Sequence, residues 1–512
     1  MLRLCLKLFL FLACFSICVN SLSQNFNRPV TPELFPYEFQ KLDSTLDIYY
    51  ALGTFKLGST PSDPEYIQPK AVILDSDGYN VWYGAETSSR IMSDFKYDSI
   101  LGQFLVITRS SGLTVPNIID TNFNIINQFS PVNSDYIDGH DFKSLNDGNM
   151  IILGIKDSVF DLSSILINGG PGNPSTVCRC NTLEIIDNSN TLIWEWNSCD
   201  YIHPSESYDF YNYDPSSYDY AHFNSVYEDD DGNFLMSFRH LNAVIKISRA
   251  TGNIIWQLGG KSSDFIFTND TGFSGQHNAE RRPSGFISVL DNGNMSGPPE
   301  VSRGVEYSLD TIAWTATLVE EYLHTPSIYS PATGSYYRWN DSKTINYGRA
   351  YRPDPSIVVA DELNQIQALV FFQDTVMSYR AQPFKPKFSF DRPSVSCLDS
   401  IGSTFLIAES GHSSYLWSTG ETTQSIEPQS DTSYQVWVPQ GIGKISSEPI
   451  HFNSAYCTSI GINELVNAKP FHIKTIDLLG REVKKKEFGQ IYIDLYSDGS
   501  IKKSILRGPI GQ

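Results

Sequence analysis

One pattern returns four times along the chain and limits its fold more than any other feature. It reads "NIIDTNFNIINQF" from Asn117, "LEIIDNSNTLIWEW" from Leu183, "VIKISRATGNIIWQL" from Val244 and "VEYSLDTIAWTATL" from Val305, each a strand, a short polar turn and a second strand. Anchored on Asp120, Asp187, Ser248 and Asp310, the spacings are 67, 61 and 62 residues. The apolar segments are short and rich in Ile, Val, Trp and Tyr, which suit a half-buried pleated surface, and helical periodicity is nearly absent. From Asp187 onward another hairpin precedes each one, turning at "NDGNMIILG" (from Asn146), "DDGNFLMSF" (from Asp230) and "PSGFISVLD" (from Pro283). Two hairpins per repeat make a four-stranded sheet that cannot bury its faces alone, and such sheets repeated radially cover one another as the blades of a β-propeller. The expected fold is therefore all-β, a propeller of about six four-stranded blades, with five or six countable between about residues 45 and 385. A β-helix has coils far shorter than this repeat, and sandwich domains run to about 100 residues each.

The 512 residues exceed one ordinary domain, so small appendages to the propeller are expected. The formal charge is -20, with 18% charged and 13% aromatic residues, the balance of a folded acidic protein and not of a nucleic-acid binder. The first residues, "MLRLCLKLFLFLACFSICVNSLSQ", combine Arg3 and Lys7 with an apolar run and small residues, the pattern of a secretory signal peptide over 1-23. An acylated Cys14 or Cys18 is the alternative, but the residues before each are poor lead-ins. No later segment approaches the ~20 apolar residues of a membrane span, so an exported, soluble mature protein is expected. Losing two cations and no acid takes its charge from -20 to -22.

Of eight cysteines, Cys178, Cys180, Cys199, Cys397 and Cys457 lie beyond the signal, in a compartment where disulfides persist. Cys397 and Cys457 bracket a candidate small domain and are the first choice for a bridge. Cys199 can pair with Cys178 or Cys180, and Cys-x-Cys with one distant Cys lacks zinc-type spacing.

Three histidines fall at nearly one place in successive repeats. His140, His222 and His277 precede their turn glycines Gly148, Gly232 and Gly285 by eight, ten and eight residues. The first strand of a propeller blade is innermost, so these side chains are expected to converge near one mouth of the axial channel. A fourth repeat carries Gly334 and Ser335 where its histidine would fall. Imidazole can act as nucleophile, acid or base near neutral pH. Arg239 and Arg303, beside the repeat strands, are planar donors suited to an oxyanion, and His240 is a further lining candidate. This combination points to transfer of a sulfuryl or phosphoryl group, with neither metal nor cofactor. Lone strand histidines are more often hydrogen-bonded filler, and it is the shared register that argues otherwise.

The run "HFNSVYEDDDGNFLMSFRHLNAVIKISRATGNIIWQLGG", followed by "FSGQHNAE", "LDNGN" and "SRGVEYSLD", resembles the arylsulfotransferase family over roughly residues 65 to 350, most strongly from His222 to Asp310. The resemblance implies a nucleotide-independent, ping-pong transfer in which a channel histidine takes sulfate from an aryl sulfate donor and passes it to a phenolic acceptor. It implies catalytic roles for His277 and His222, by their "QHNA" and "HFN" contexts, and for Arg303 in its "SR" segment; by register His140 joins the catalytic candidates, with Arg239 and His240 expected to bind substrate. His277 stands first for the sulfated residue, then His222, then His140, His240 and His324. A binding or adhesion module for sulfated or aromatic ligands is the alternative, and a quinone-dependent dehydrogenase ranks below it.

After the propeller domain (24-385), "YLWSTGETTQSI" and "SYQVWV" resemble a small immunoglobulin-like module (386-458). The tail 459-512, with "IDLLGREV" and "IYIDLYSDGSIKK", resembles the C-terminal sorting domain of type IX secretion substrates in Bacteroidota. This resemblance implies export through the periplasm to the cell surface or medium, with the type IX machinery as a partner. The Tyr201 to Tyr220 insertion could clamp an aromatic ring or simply pack. The "DSDGYN" and "EDDDGN" runs read as hairpin turns before they read as calcium loops. There is no Gly-x-x-x-x-Gly-Lys phosphate loop, and no Cys-x-Pro-x-Arg segment of the sulfatase kind.

Overall fold

The computed structural model describes residues 28-56, 68-84, 94-110, 113-208, 213-373, 375-400, 403-429 and 432-452, and within the tail 472-476, 481, 483, 491-496 and 501-505. The expected signal peptide, with Cys14 and Cys18, lies outside the described residues. Among the described residues no helix is long and apolar enough to cross a membrane.

Six sheets, each built on four antiparallel strands, make the blades, and the fourth carries the short strand Ile266–Phe267 parallel at its outer edge. The first blade is Phe95–Asp98, Gln103–Ser110, Leu113–Ile119 and Ile125–Gln128, and the second is Tyr136–Ser144, Met150–Phe160, Thr176–Ile186 and Leu192–Asn197. Phe223–Glu228, Phe234–Phe238, Ala243–Ile247 and Ile254–Gly259 make the third; His277–Arg281, Ile287–Asp291, Arg303–Asp310 and Thr315–Tyr322 make the fourth. The fifth is Ser335–Trp339, Ser342–Asn346, Ile357–Asp361 and Ile366–Phe372, with Tyr37–Lys41 added at its outer edge. The sixth takes its inner strand, Val376–Phe384, from late in the chain and its other three, Tyr49–Lys56, Lys70–Leu74 and Asn80–Gly84, from the start. Pairing of Tyr49 with Phe384 through Lys56 with Val376 thereby closes the ring.

Bonds between successive inner strands show that closure directly. Lys96 of the first blade reaches Asp141 of the second at 2.6 Å, and Asp141 accepts from the Val226 amide of the third at 3.0 Å. Ser225 accepts from the Ala279 amide of the fourth blade, and Asn278 from the Tyr336 amide of the fifth. Ser335 accepts from the Ala381 amide of the sixth, and Arg380 returns to Asp94, next to the first blade's inner strand.

The repeating outer hairpins owe their shape to one side chain. Asp120 accepts from the Asn122 and Asn124 amides, Asp187 from Ser189 and Thr191, and Asp310 from Ile312 and Ala313. Asp75 and Asp361 do the same in the sixth and fifth blades. A short carboxylate that folds back on its own turn is a local device independent of tertiary contacts, which is why it recurs where the flanking strands differ. The "EDDDGN" acids are likewise taken up by the protein, with Asp229 holding Lys246 and Arg281. Between blades the packing is aromatic. Trp82 stacks on Phe123 with ring centroids 4.1 Å apart, and Phe95, Phe104 and Phe384 join them. Each such ring contributes about 1.5-3 kcal/mol on burial.

Beyond residue 385, Gly443–Ser446 pairs with Asn80–Gly84, so the sixth-blade sheet continues through Gly443–Ser446, Val436–Gln440 and Leu416–Trp417. Residues 410-423 and 434-449 accordingly belong to the same compact unit as the blades, so the expected boundary at 385 does not separate them from the propeller. The second unit contains the sheet of Val395–Ser400, Ser403–Ala408 and Ser425–Ile426 and the tail sheet of His472–Ile476, Ile491–Tyr496 and Ile501–Ile505. Cys199 is bonded to Cys180, leaving Cys178 a buried thiol pushed up to about 12 by burial. Cys397 is disulfide-bonded, and its expected partner Cys457 lies outside the described residues.

Candidate functional site

The register of the inner strands brings the three histidines together as expected. The His140 and His222 rings lie 4.7 Å apart, and His222 stacks on His240 at 4.5 Å. Tyr379, on the sixth blade's inner strand, faces both His140 and His277, at 5.6 and 6.4 Å. The histidine backbones come from the second, third and fourth blades, while Arg239 and His240 sit on the short 3-10 turn Arg239–Leu241 that follows a third-blade strand. His222 holds a left-handed backbone (φ 55), a conformation that costs a non-glycine residue free energy and concentrates at functional positions.

The imidazoles fall into two chemical kinds. His140 and His222 each present Nδ1 to a carboxylate, Asp138 for the first and Asp219, at 2.5 Å, for the second. Among the described residues nothing bonds the Nε2 of either. Burial works against protonation of His140, but the charge and hydrogen bond of Asp138 outweigh it and raise its pKa. Burial would raise Asp219, but His222 beside it holds that carboxyl well below its usual range.

His277 differs. It is 2% exposed, and its Nδ1–H donates to Asn292 Oδ1 at 2.7 Å. Asn292 cannot turn its amide round, because its nitrogen donates to the Ser330 and Thr333 carbonyls. The proton of His277 is therefore fixed on Nδ1 and the lone pair on Nε2, which accepts from the Thr333 amide at 3.3 Å and from nothing else among the described residues. Burial first, then Arg239, pushes the His277 pKa well below the usual value. It is a neutral imidazole with a directed lone pair, the form a nucleophile needs. In the fifth blade, where the histidine pattern lapses, Gly334 has φ 105 and a Cβ there would meet the Asn346 carbonyl at 2.4 Å. Glycine is required for that close approach.

Arg239 donates from Nη1 to His240 Nε2 at 2.8 Å and from Nη2 to the Pro331 carbonyl. His240 in turn donates from Nδ1 to the Asp219 carbonyl, and burial followed by His222 lowers its pKa to about 4. Donor atoms of Asp219, His222 and His240 lie within 4.8 Å of one another, a spacing compatible with a metal ion. A guanidinium aimed at His240 puts fixed positive charge there, which disfavours a cation and suits an anion.

Arg303 departs from expectation. Its Nε bonds Asp291 at 3.0 Å, Nη1 bonds Glu321 at 2.8 Å and Nη2 bonds Asp270 at 3.0 Å and the Gly272 carbonyl. Four of its five N–H groups are thus engaged, and the remaining Nη1–H stands among carboxylates that repel a sulfate. It steadies Asp291, the neighbour of Asn292, and so positions the His277 turn. His324, ranked last, is buried against Tyr322 in a separate contact. Asp138, Asp219, Asn292 and Tyr379 are site residues that the sequence reasoning missed. The acids stand two and three residues before their histidines, a signal that was present in the sequence, whereas Tyr379 arrives only through ring closure.

No curated protein matches the chain. Similar solved structures include a protein of unknown function from Bacteroides caccae (10% identity, 66% of this chain and 99% of that one, TM-score 0.41). A putative 6-phosphogluconolactonase from Bacteroides fragilis (10%, 67% and 99%, 0.36) and virginiamycin B lyase from Staphylococcus aureus (10%, 73% and 96%, 0.33) are others. Scores this low carry no function across. The stretch that holds every one of these histidines and Arg239, residues 102–349, matches the model of the arylsulfotransferase (ASST) family.

Proposed function

We propose that the chain is an aryl-sulfate sulfotransferase working without a nucleotide donor and through a sulfohistidine at His277. The observation that carries this reading is the fixed tautomer of His277, a neutral buried imidazole whose Nε2 accepts a long bond from the Thr333 amide and whose ring feels the charges of Arg239, His222 and His140. In the first half-reaction Nε2 attacks the sulfur of an aryl sulfate. The N–S bond forms as the S–O(aryl) bond breaks, and the departing phenolate takes a proton from the His140–Asp138 pair, with His222–Asp219 as its counterpart. In the second, an acceptor phenol returns that proton, its oxygen attacks sulfur and the N–S bond breaks. Charge on the sulfuryl oxygens faces Arg239, since such transfer relies on positioning and on donors aimed at developing charge. Export by signal peptide and type IX tail belongs to the same proposal and places the reaction outside the cytoplasm.

The test is transfer from an aryl sulfate to a phenol without nucleotide. His277→Ala should lower it by at least about 10³-fold with an unchanged circular dichroism spectrum, and mass spectrometry of the wild type trapped with donor alone should find sulfate on the His277 peptide. A folded wild-type protein inactive across several donor and acceptor pairs would leave the binding-module reading in its place.

A further inference from the structure

A cleft of about 620 Å³ opens on the fourth blade, and Asn242 and Asp291 in its wall tie it to the site. Asn242 is two residues from His240, and Asp291 adjoins the asparagine that holds His277. Aromatic side chains line part of it, namely Tyr208, Phe265, Phe267 and Phe273. The polar part is one-sided. Asp270, Asp291 and Glu321 surround the single guanidinium of Arg303, three negative charges against one positive.

Which hydrogen-bonding groups remain free sets what can enter. Arg303 has four of its five N–H groups bonded, the fifth on Nη1 beside Glu321, and Asp291 takes the Ser274 and Gly293 amides and Arg303. Asp270, its side chain only 10% exposed, uses Oδ2 for Arg303, Tyr307 and the Gly272 amide, and Glu321 uses Oε1 for Arg303. Asp270 Oδ1 and Glu321 Oε2 have no hydrogen-bond partner among the described residues. Lys261, 5.1 Å from the Tyr208 ring, is held by the Ser205 and Ser207 carbonyls. The open capacity of these carboxylates is thus for donors only, beside aromatic rings that attract cations. We infer that the cleft selects an acceptor phenol that carries a cationic amine and rejects one that carries a carboxylate.

The inference rests on the transfer reading for naming the ligand an acceptor, so its test measures binding without turnover. Calorimetry on the full chain would compare tyramine, para-ethylphenol and para-hydroxyphenylacetate, rings of one size that differ in charge. Tyramine is expected to bind at least about ten-fold more tightly than ethylphenol, with the carboxylate weakest. Glu321→Gln and Asp270→Asn should each bring the tyramine to ethylphenol ratio toward one; Glu321→Gln leaves Arg303 two carboxylates and keeps the fold. Equal affinities, tighter binding of the carboxylate, no binding by any of the three, or a ratio that neither variant moves would overturn the inference. If sulfate transfer fails while the ratio persists, only the transfer reading falls; if transfer to phenol proceeds with a ratio of one, only the cleft inference does.

Discussion

Two histidines of the same strand register are given opposite proton affinities by one neighbour each. Asp138 raises His140, while the neutral amide of Asn292 leaves burial and Arg239 to depress His277. The pH dependence of kcat/KM for the donor follows from these directions. His277 must be unprotonated to attack, and with its pKa depressed it stays so as pH falls well below the usual histidine value. His140 must be protonated to serve the leaving phenolate, so activity is full below its raised pKa and is lost as pH rises through it. Asp138→Asn removes the largest group that holds the proton, leaving burial opposed only by the more distant Asp219, so the alkaline limb should move to lower pH. At neutral pH its kcat should fall by about 10²-fold. A profile measured on both proteins checks this, and an alkaline limb that does not move would take His140 out of the acid role. The shared place of the three histidines was legible because turn glycines mark register. Arg303 was misjudged because sequence shows a guanidinium but not the three carboxylates that the fold wraps around it.

At the scale of strands and turns, the second blade depends on a covalent tie that hairpin patterns do not announce. Cys180, within Thr176–Ile186, is bonded to Cys199, in the 3-10 turn Ser198–Asp200, across 19 residues of sequence. Asn197 caps that turn by accepting from the Cys199 amide, and Ser198 accepts from Tyr220, which leads into His222. The bridge thus fastens the segment from which the third-blade histidine departs. The chain-entropy model gives a closed loop of this size about 3 kcal/mol. The Cys180→Ser, Cys199→Ser double variant should lose about that much in denaturant unfolding, and reductant should lower the melting temperature of the wild type by more than that of the variant, which keeps the Cys397 bridge. Sequence left two partners open for Cys199, since Cys178 and Cys180 point to the same face of a strand and only packing against Tyr218 and Tyr220 distinguishes them.

For the whole molecule, five or six blades were countable from hairpin turns, yet the manner of closure was not, since the sixth blade joins the two ends of the propeller segment. That closing strand delivers Tyr379 to the histidines and Arg380 to the axis. Arg380, 2% exposed, bonds Asp141 at 3.0 Å, Asp94 at 3.2 Å and the Asn224 carbonyl at 2.7 Å, and Lys96 bonds the same two acids. Two buried cations and two buried anions thus join the first, second and sixth blades at the core of the ring, with the partly exposed Lys143 3.8 Å from Asp141 at their edge, and burial is tolerable only while the buried charges balance. Arg380→Met leaves one buried lysine, Lys96, against two buried carboxylates and should cost about 3-5 kcal/mol in denaturant unfolding. Asp94→Asn added to it restores a one-to-one pair between Lys96 and Asp141. The double variant should therefore be more stable than Arg380→Met alone, although it has lost more of the native bonds. Were it less stable, Arg380 would hold the ring through packing against Tyr379 and not through charge.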